Sequence, residues 1–351
     1  MKTMQAITVE PGVANSLRLD TFKVPSQDRG SVLIQAVALG ICGTDRDIIA
    51  ARYGTAPPGH QRLIIGHESL GRVEDAPPDS GLAPGDLVIG VVRHPDPVPC
   101  VNCASGEWDM CRNGRYTEHG IQARDGFGSE YYRLDAGYLV KVDADLGDLA
   151  VLTEPTSIVA KAWEHIDHLG RRAVWTPKCV LITGAGPVGL LAAMFAVQRN
   201  IEVHVLDHNN RGPKPDLVRD LGATYHDGDW GKLRRDFDVV IEATGVVPVI
   251  AQIFEHTSPN AITCLLGVSA PSEKTSIDLG ALNEEIVLGN RVVFGSVNAN
   301  RRHYMSALAA LAAADRDWLA RIITRRVPLE KWRAAYEKHP GDIKTVIEFP
   351  S

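Results

Sequence analysis

Val180–Asp207, VLITGAGPVGLLAAMFAVQRNIEVHVLD, decides the fold of this 351-residue chain. Four β-favouring residues lead into a glycine turn, a run of good helix formers follows, and IEVHVLD restores an extended apolar pattern. This is a βαβ unit. Gly184, Gly186 and Gly189 stand in the G-x-G-x-x-G register. The first glycine permits the tight turn, the second lets backbone approach a pyrophosphate, and the third allows close helix–strand packing. The pyrophosphate would rest on the N–H groups of the helix N-terminus, opened by Pro187 and Val188, where the dipole favours an anion. Asp207 closes the second strand at about the ~20-residue distance of a ribose-binding acid.

Residues Cys179 to Val197 carry no charge, which also suits a membrane span. The Gly-Ala-Gly-Pro break excludes that reading, because it leaves pieces far shorter than the ~20 apolar residues a spanning helix needs. Length points to two domains, since single cores stop growing near ~250–300 residues. A net charge of −6 and scattered Arg-Arg pairs give no basic stripe for nucleic acid or an acidic membrane. The N-terminal MKTMQAITVEPG has no apolar signal segment, so a cytoplasmic protein is expected. In a reducing compartment, clustered cysteines bind metal more often than they form disulfides.

Up to about residue 150 the chain is a series of short β-like runs (6–9, 31–39, 68–73, 86–92 and 138–142) separated by Gly and Pro turns. The pattern fits a mostly β lobe, expected as a compact barrel. Helical spacing begins at 157–169. Beyond the glycine turn, strands at 201–207, 239–243, 261–266 and 291–297 alternate with helical stretches, as in a doubly wound parallel sheet. Thr244 and Gly245 end one such strand, where ligands of these sheets bind. An Ala-rich helix at 303–314 and a helix-and-strand tail at 325–349 are expected to return to the first lobe.

Three separated places offer metal ligands: Cys42 with Thr44 in GICGTD, His67 and Glu68 in GHE, and Glu154 before Pro155. A thiolate, an imidazole and carboxylates suit zinc with an open position. Singly, each has a plainer reading, as a small buried hydrophobe or a solvated charge. Cys100, Cys103 and Cys111 form a sharper cluster in a Gly- and Pro-flanked loop, with Asp96, a water or no metal as the alternatives for the fourth position.

With these motifs together, the chain resembles the zinc-dependent medium-chain dehydrogenases, most closely their glucose dehydrogenase branch. GICGTD at 40–45, GHE at 66–68, EP at 154–155, GAGPVG at 184–189, the cysteine lobe and GSVNANRRHY at 295–304 carry the likeness. The resemblance implies a GroES-like β-rich catalytic domain (1–155, with 297–351) and an inserted Rossmann domain with a doubly wound parallel sheet (156–296). It also implies catalytic zinc on Cys42, His67, Glu68 and Glu154, proton relay through Thr44, and sugar contacts from Thr44, Glu118, Glu154, Asn298 and His303. A second, structural zinc would sit on Asp96, Cys100, Cys103 and Cys111, where Pro97 replaces the first cysteine of the usual four. The cofactor would be NAD, preferred, or NADP, bound by the glycine turn, Asp207, Arg211, Thr244, Gly245 and Asn298. The activity implied is oxidation of D-glucose or related aldoses at C1 to the lactone, by a homodimer or homotetramer. A sorbitol- or threonine-type dehydrogenase, and more distantly a non-enzymatic nucleotide-binding protein, are the competing readings.

Overall fold

The computed structural model describes residues 2–270 and 273–350. The chain divides into two units, Met1–Ser157 with Asn298–Ser351, and Ile158–Val297. These boundaries lie two residues and one residue from those expected above. The first falls inside one helix, Thr153–Gly170.

The first unit is built on a seven-stranded sheet centred on the strand Val32–Ile41. Burial in that strand alternates along its first half, as in a sheet with one face on the core. It becomes continuous over Leu39, Gly40 and Ile41, where the strand approaches the metal-ligand motif. The strand pairs antiparallel with Glu68–Asp75 on one side and with Lys344–Glu348 on the other, so the C-terminal tail is part of this sheet. Ile34, Leu39, Ile65, Val88 and Ile347 meet in the core beneath it. The strands Arg18–Lys23 and Tyr131–Leu134 went unread in the sequence, because each mixes charge or polarity into a short run.

The second unit holds a six-stranded, all-parallel sheet. Cys179–Thr183 is buried throughout and lies between Glu202–Leu206 and Phe237–Glu242. The helix Pro187–Gln198 starts with Pro at its first position, where a missing N–H costs nothing. Its residues Gly189–Ala196 are buried, as expected of a helix covering a parallel sheet. Among the described residues, no helix is long and apolar enough to cross a membrane.

Candidate active site

Cys42 caps the helix Gly43–Ile49, just past the central strand. Asp45 closes a capping box by accepting the Cys42 N–H at 2.8 Å. Its other oxygen lies 3.3 Å from His67 Nδ1. Asp45 therefore both fixes the turn that presents Cys42 and stands behind the imidazole, as outer carboxylates do for metal-bound histidines. The sequence reading quoted Asp45 without giving it a role, although its N3 position after an N-cap was a legible signal.

Glu68 opens the adjoining strand beneath Gly40. A Cβ on Gly40 would fall 2.0 Å from Glu68 Oε2, so glycine is needed to admit the carboxylate. Lys344, from the C-terminal strand, contacts both Glu68 oxygens at 2.7 and 2.6 Å and donates to the Ile41 carbonyl at 3.2 Å. Nothing in the sequence around Lys344 marked it.

The ligand atoms of Cys42, His67 and Glu68 all lie within 4.8 Å of one another. Thr44 Oγ1 is 3.9 Å from Cys42 Sγ. Glu154 stands outside this cluster, buried in the first turn of its helix. Burial pushes its carboxyl up to about 7, resisted by the charge of His67 and assisted by that of Glu68. Burial works against a charged His67, yet Asp45 and Cys42 outweigh it and hold the imidazole well above its ordinary range. Beside the charged His67, one thiol and three carboxyl groups face a second buried cation, Lys344. Such a donor set fits a divalent zinc ion, with Cys42, His67 and a carboxylate as its ligands.

Glu118 is buried rather than a solvated loop charge. Its Oε1 accepts from Arg93 Nε at 3.0 Å and from Asn298 Nδ2 at 2.6 Å. The Arg93 guanidinium carbon also lies over the Tyr116 ring, 3.7 Å from its centre. Asn298 adopts a left-handed backbone, φ 60°, which asparagine tolerates better than most side chains. The structure thus brings Glu118 and Asn298 together. His303 is also buried, but its Nδ1 accepts the Asn300 N–H at 2.8 Å in a capping box. That nitrogen is committed to starting the helix Arg301–Ala312.

In the cysteine lobe, Cys100, Cys103 and Cys111 come together, and the expected fourth ligand does not join them. Asp96 Oδ1 accepts the Val98 N–H at 2.8 Å, while Oδ2 takes Asn113 at 2.8 Å and Arg115 at 3.3 Å. The carboxylate is spent on its own turn and on a cation, which corrects its assignment to the metal. Backbone N–H groups, led by that of Arg112, draw the Cys100 thiol down to about 6, and burial pushes Cys103 up to about 11.

In the second unit, Gly184 has φ 91°, and a Cβ on Gly189 would sit 1.8 Å from the Gly184 carbonyl oxygen. Gly186 faces open space within 4 Å, the room that a pyrophosphate requires. Glu242 organises the neighbouring strand end, accepting the Thr244 N–H at 2.7 Å, the Thr244 hydroxyl, and the Gly245 N–H at 3.1 Å. Asp207 is not a bare acid. Its Oδ2 accepts from Ala185 N at 2.8 Å and Lys214 Nζ at 2.9 Å, and its Oδ1 accepts from Asn209 N at 2.9 Å. Burial would raise its pKa, but these donors outweigh burial and hold it below the usual range. The cation that reaches Asp207 is Lys214, which the sequence reading did not single out; Arg211, expected at the cofactor, is exposed.

A β-rich unit carrying a Cys-His-Glu cluster, together with a parallel-sheet unit carrying a dinucleotide turn, defines a zinc-type alcohol-dehydrogenase architecture. Residues 28–144 match the alcohol dehydrogenase GroES-like domain, and residues 147–349 match the glucose dehydrogenase C-terminus. The chain is 42% identical to glucose 1-dehydrogenase 2 of Vulcanisaeta moutnovskia, over 98% of this chain and 99% of that one. It is 41% identical to glucose 1-dehydrogenase of Thermoproteus tenax at the same coverage. A solved structure of Haloferax mediterranei glucose dehydrogenase, in complex with NADP, Zn and gluconolactone, superimposes with a TM-score of 0.90 at 31% identity, covering 99% of both chains. The chain belongs to the glucose dehydrogenase family of zinc-dependent medium-chain dehydrogenases.

Proposed function

We propose that this protein oxidises D-glucose, and related aldoses, at C1 to the lactone, passing a hydride to NAD or NADP and releasing a proton. The observation that carries the reading is the Cys42–His67–Glu68 cluster, supported in the same unit by the buried Glu118–Asn298 pair. Zinc, held by Cys42, His67 and a carboxylate, would supply a Lewis acid that makes a hydroxyl easier to deprotonate. Thr44, beside Cys42, would accept that proton and pass it on. Glu154, with its carboxyl near neutrality, is suited to exchanging a proton. Arg93 and Asn298 both bond to Glu118 Oε1, and its Oε2 is the acceptor assigned to a sugar hydroxyl.

NAD is the preferred cofactor in this reading, with NADP accepted. Asp207 would take the ribose diol of NAD, and Lys214 offsets part of its repulsion for a 2′-phosphate. A homodimer or homotetramer in the cytoplasm completes the proposal. The test is reduced-cofactor absorbance with a panel of aldoses, polyols and secondary alcohols, using each cofactor. Glucose should lead the panel by kcat/KM; a lead for sorbitol or threonine would replace the substrate assignment, and no turnover with any compound would remove the enzymatic one.

A further inference from the structure

Apart from the ligand cluster, the first unit contains a cavity of about 930 Å³. Its walls come from the strands Thr3–Val9 and Arg18–Lys23, the turn at 59–64, and the strand Tyr131–Leu134. That volume lies at the upper end of the ~300–1,000 Å³ typical of small-molecule sites. None of the residues assigned above to zinc or sugar lines it.

The lining is strongly basic. Arg18, Lys23, Arg29, Arg62, Arg124 and Arg133 face only two acids, Asp20 and Asp125. This local excess stands in a chain whose net charge is −6, so it is not a reflection of composition. Three of the six cations are held by the protein. Arg18 and Arg62 share Asp20, at 2.9 and 3.3 Å, and Arg133 donates to the carbonyls of Pro25, Gly30 and Ser31. For Lys23, Arg29 and Arg124, no ion pair is formed among the described residues. Arg124 gives its Nε–H to Thr117 at 3.0 Å. Burial lowers its pKa, which the nearby Tyr138 and Asp135 oppose and Arg29 reinforces. A half-buried guanidinium without an ion pair is stabilised when an anion enters.

We propose that this cavity binds a small polyanion carrying a diphosphate group, through Lys23, Arg29 and Arg124. Two guanidinium forks match phosphate oxygens bidentately, and the clustered cations give the cavity a positive field. The proposal does not depend on which sugar is oxidised.

Calorimetric titration of the zinc-loaded enzyme with inorganic pyrophosphate, which has no base to enter the dinucleotide site, provides the test. One site per chain is expected, weakened by added salt, with citrate as the polycarboxylate control binding less tightly. Arg29→Ala and Lys23→Ala should each weaken pyrophosphate about tenfold, in keeping with loss of a charge-assisted contact, while glucose turnover without pyrophosphate stays at the wild-type level. Arg124→Ala should do the same, and Arg29→Ala with Lys23→Ala decide the matter if that variant fails to fold. Heat that persists unchanged in these variants would reflect zinc chelation or the dinucleotide site and would overturn the proposal. So would a flat titration, including one accompanied by a change of oligomeric state in Arg29→Glu, which would mean that the basic wall is covered by a second copy.

Discussion

Lys344 Nζ lies 2.6 Å from Glu68 Oε2, and both side chains are almost wholly buried, at 3% and 1% exposure. The pair joins the C-terminal strand to the strand that begins with the GHE motif. Burial alone would lower the pKa of Lys344; Glu68 and the Cys42 thiol outweigh it, so the lysine stays charged. Removing one partner leaves a buried charge unmatched, at a cost of roughly 3–5 kcal/mol. Lys344→Met should therefore destabilise the protein by about that amount, and Glu68→Gln added to it should recover part of the loss. Urea melts of both variants measure this, and a cost below about 1 kcal/mol for Lys344→Met would show that the pair is not a structural tie.

Zinc content and activity should separate the two metal sites. The wild type should carry two zinc ions per chain, one per cluster. Cys42→Ala should lose one ion together with turnover. Cys103→Ala should lose the other while retaining most turnover. Once the lobe is stripped by chelation, Cys100 should be alkylated before Cys103 at neutral pH, since its thiol lies near 6 against about 11. One zinc in the wild type, unchanged by Cys103→Ala, would mean that the lobe holds no metal.

Cofactor choice should move in opposite directions at the Asp207–Lys214 pair. Asp207→Ala removes both the diol acceptor and the repulsion, so the NAD-to-NADP ratio of kcat/KM should fall. Lys214→Ala leaves the acid uncompensated, so the same ratio should rise. Each shift is expected to be about tenfold, the scale of one charge-assisted contact. Dissociation constants for the two cofactors, from fluorescence titration, should follow the same order. Ratios that stay fixed in both variants would place the selector elsewhere.

The His94–His119 pair should make the fold acid-sensitive. His119 Nδ1–H donates to the Asp125 carbonyl at 2.6 Å, which leaves its Nε2 to accept from His94 Nε2–H at 3.1 Å. A proton added to His119 would set two N–H groups against each other. Burial holds His94 down to about 2 and His119 down to about 3. Both folded-state values lie below the unfolded value near ~6.5, so the unfolded chain binds more protons in between. Stability from this pair is complete above about pH 6.5 and declines as pH falls toward 3, by roughly 1 kcal/mol or more per unit. Urea melts from pH 7 to 5 should show the decline, and His94→Gln should flatten it. An equal slope in the variant would assign the sensitivity to other groups.

What the sequence by itself determined was local. The glycine register, the apolar run after it and the spacing to Asp207 are short-range patterns of turn, helix and strand, and they suffice to specify a dinucleotide-binding βαβ unit. The short ligand motifs likewise carried the metal chemistry, since residue type and a preceding strand are readable in one window. Tertiary structure decided the partners. Lys344 meets Glu68 across 276 positions, and Glu118 meets Asn298 across 180, through strand pairing and packing that no local window contains. The same applies to partners that no local pattern marked. Asp96 was claimed by Asn113 and Arg115, and Asp207 gained Lys214. A buried carboxylate binds the donors that folding places within reach, and that reach is set in three dimensions.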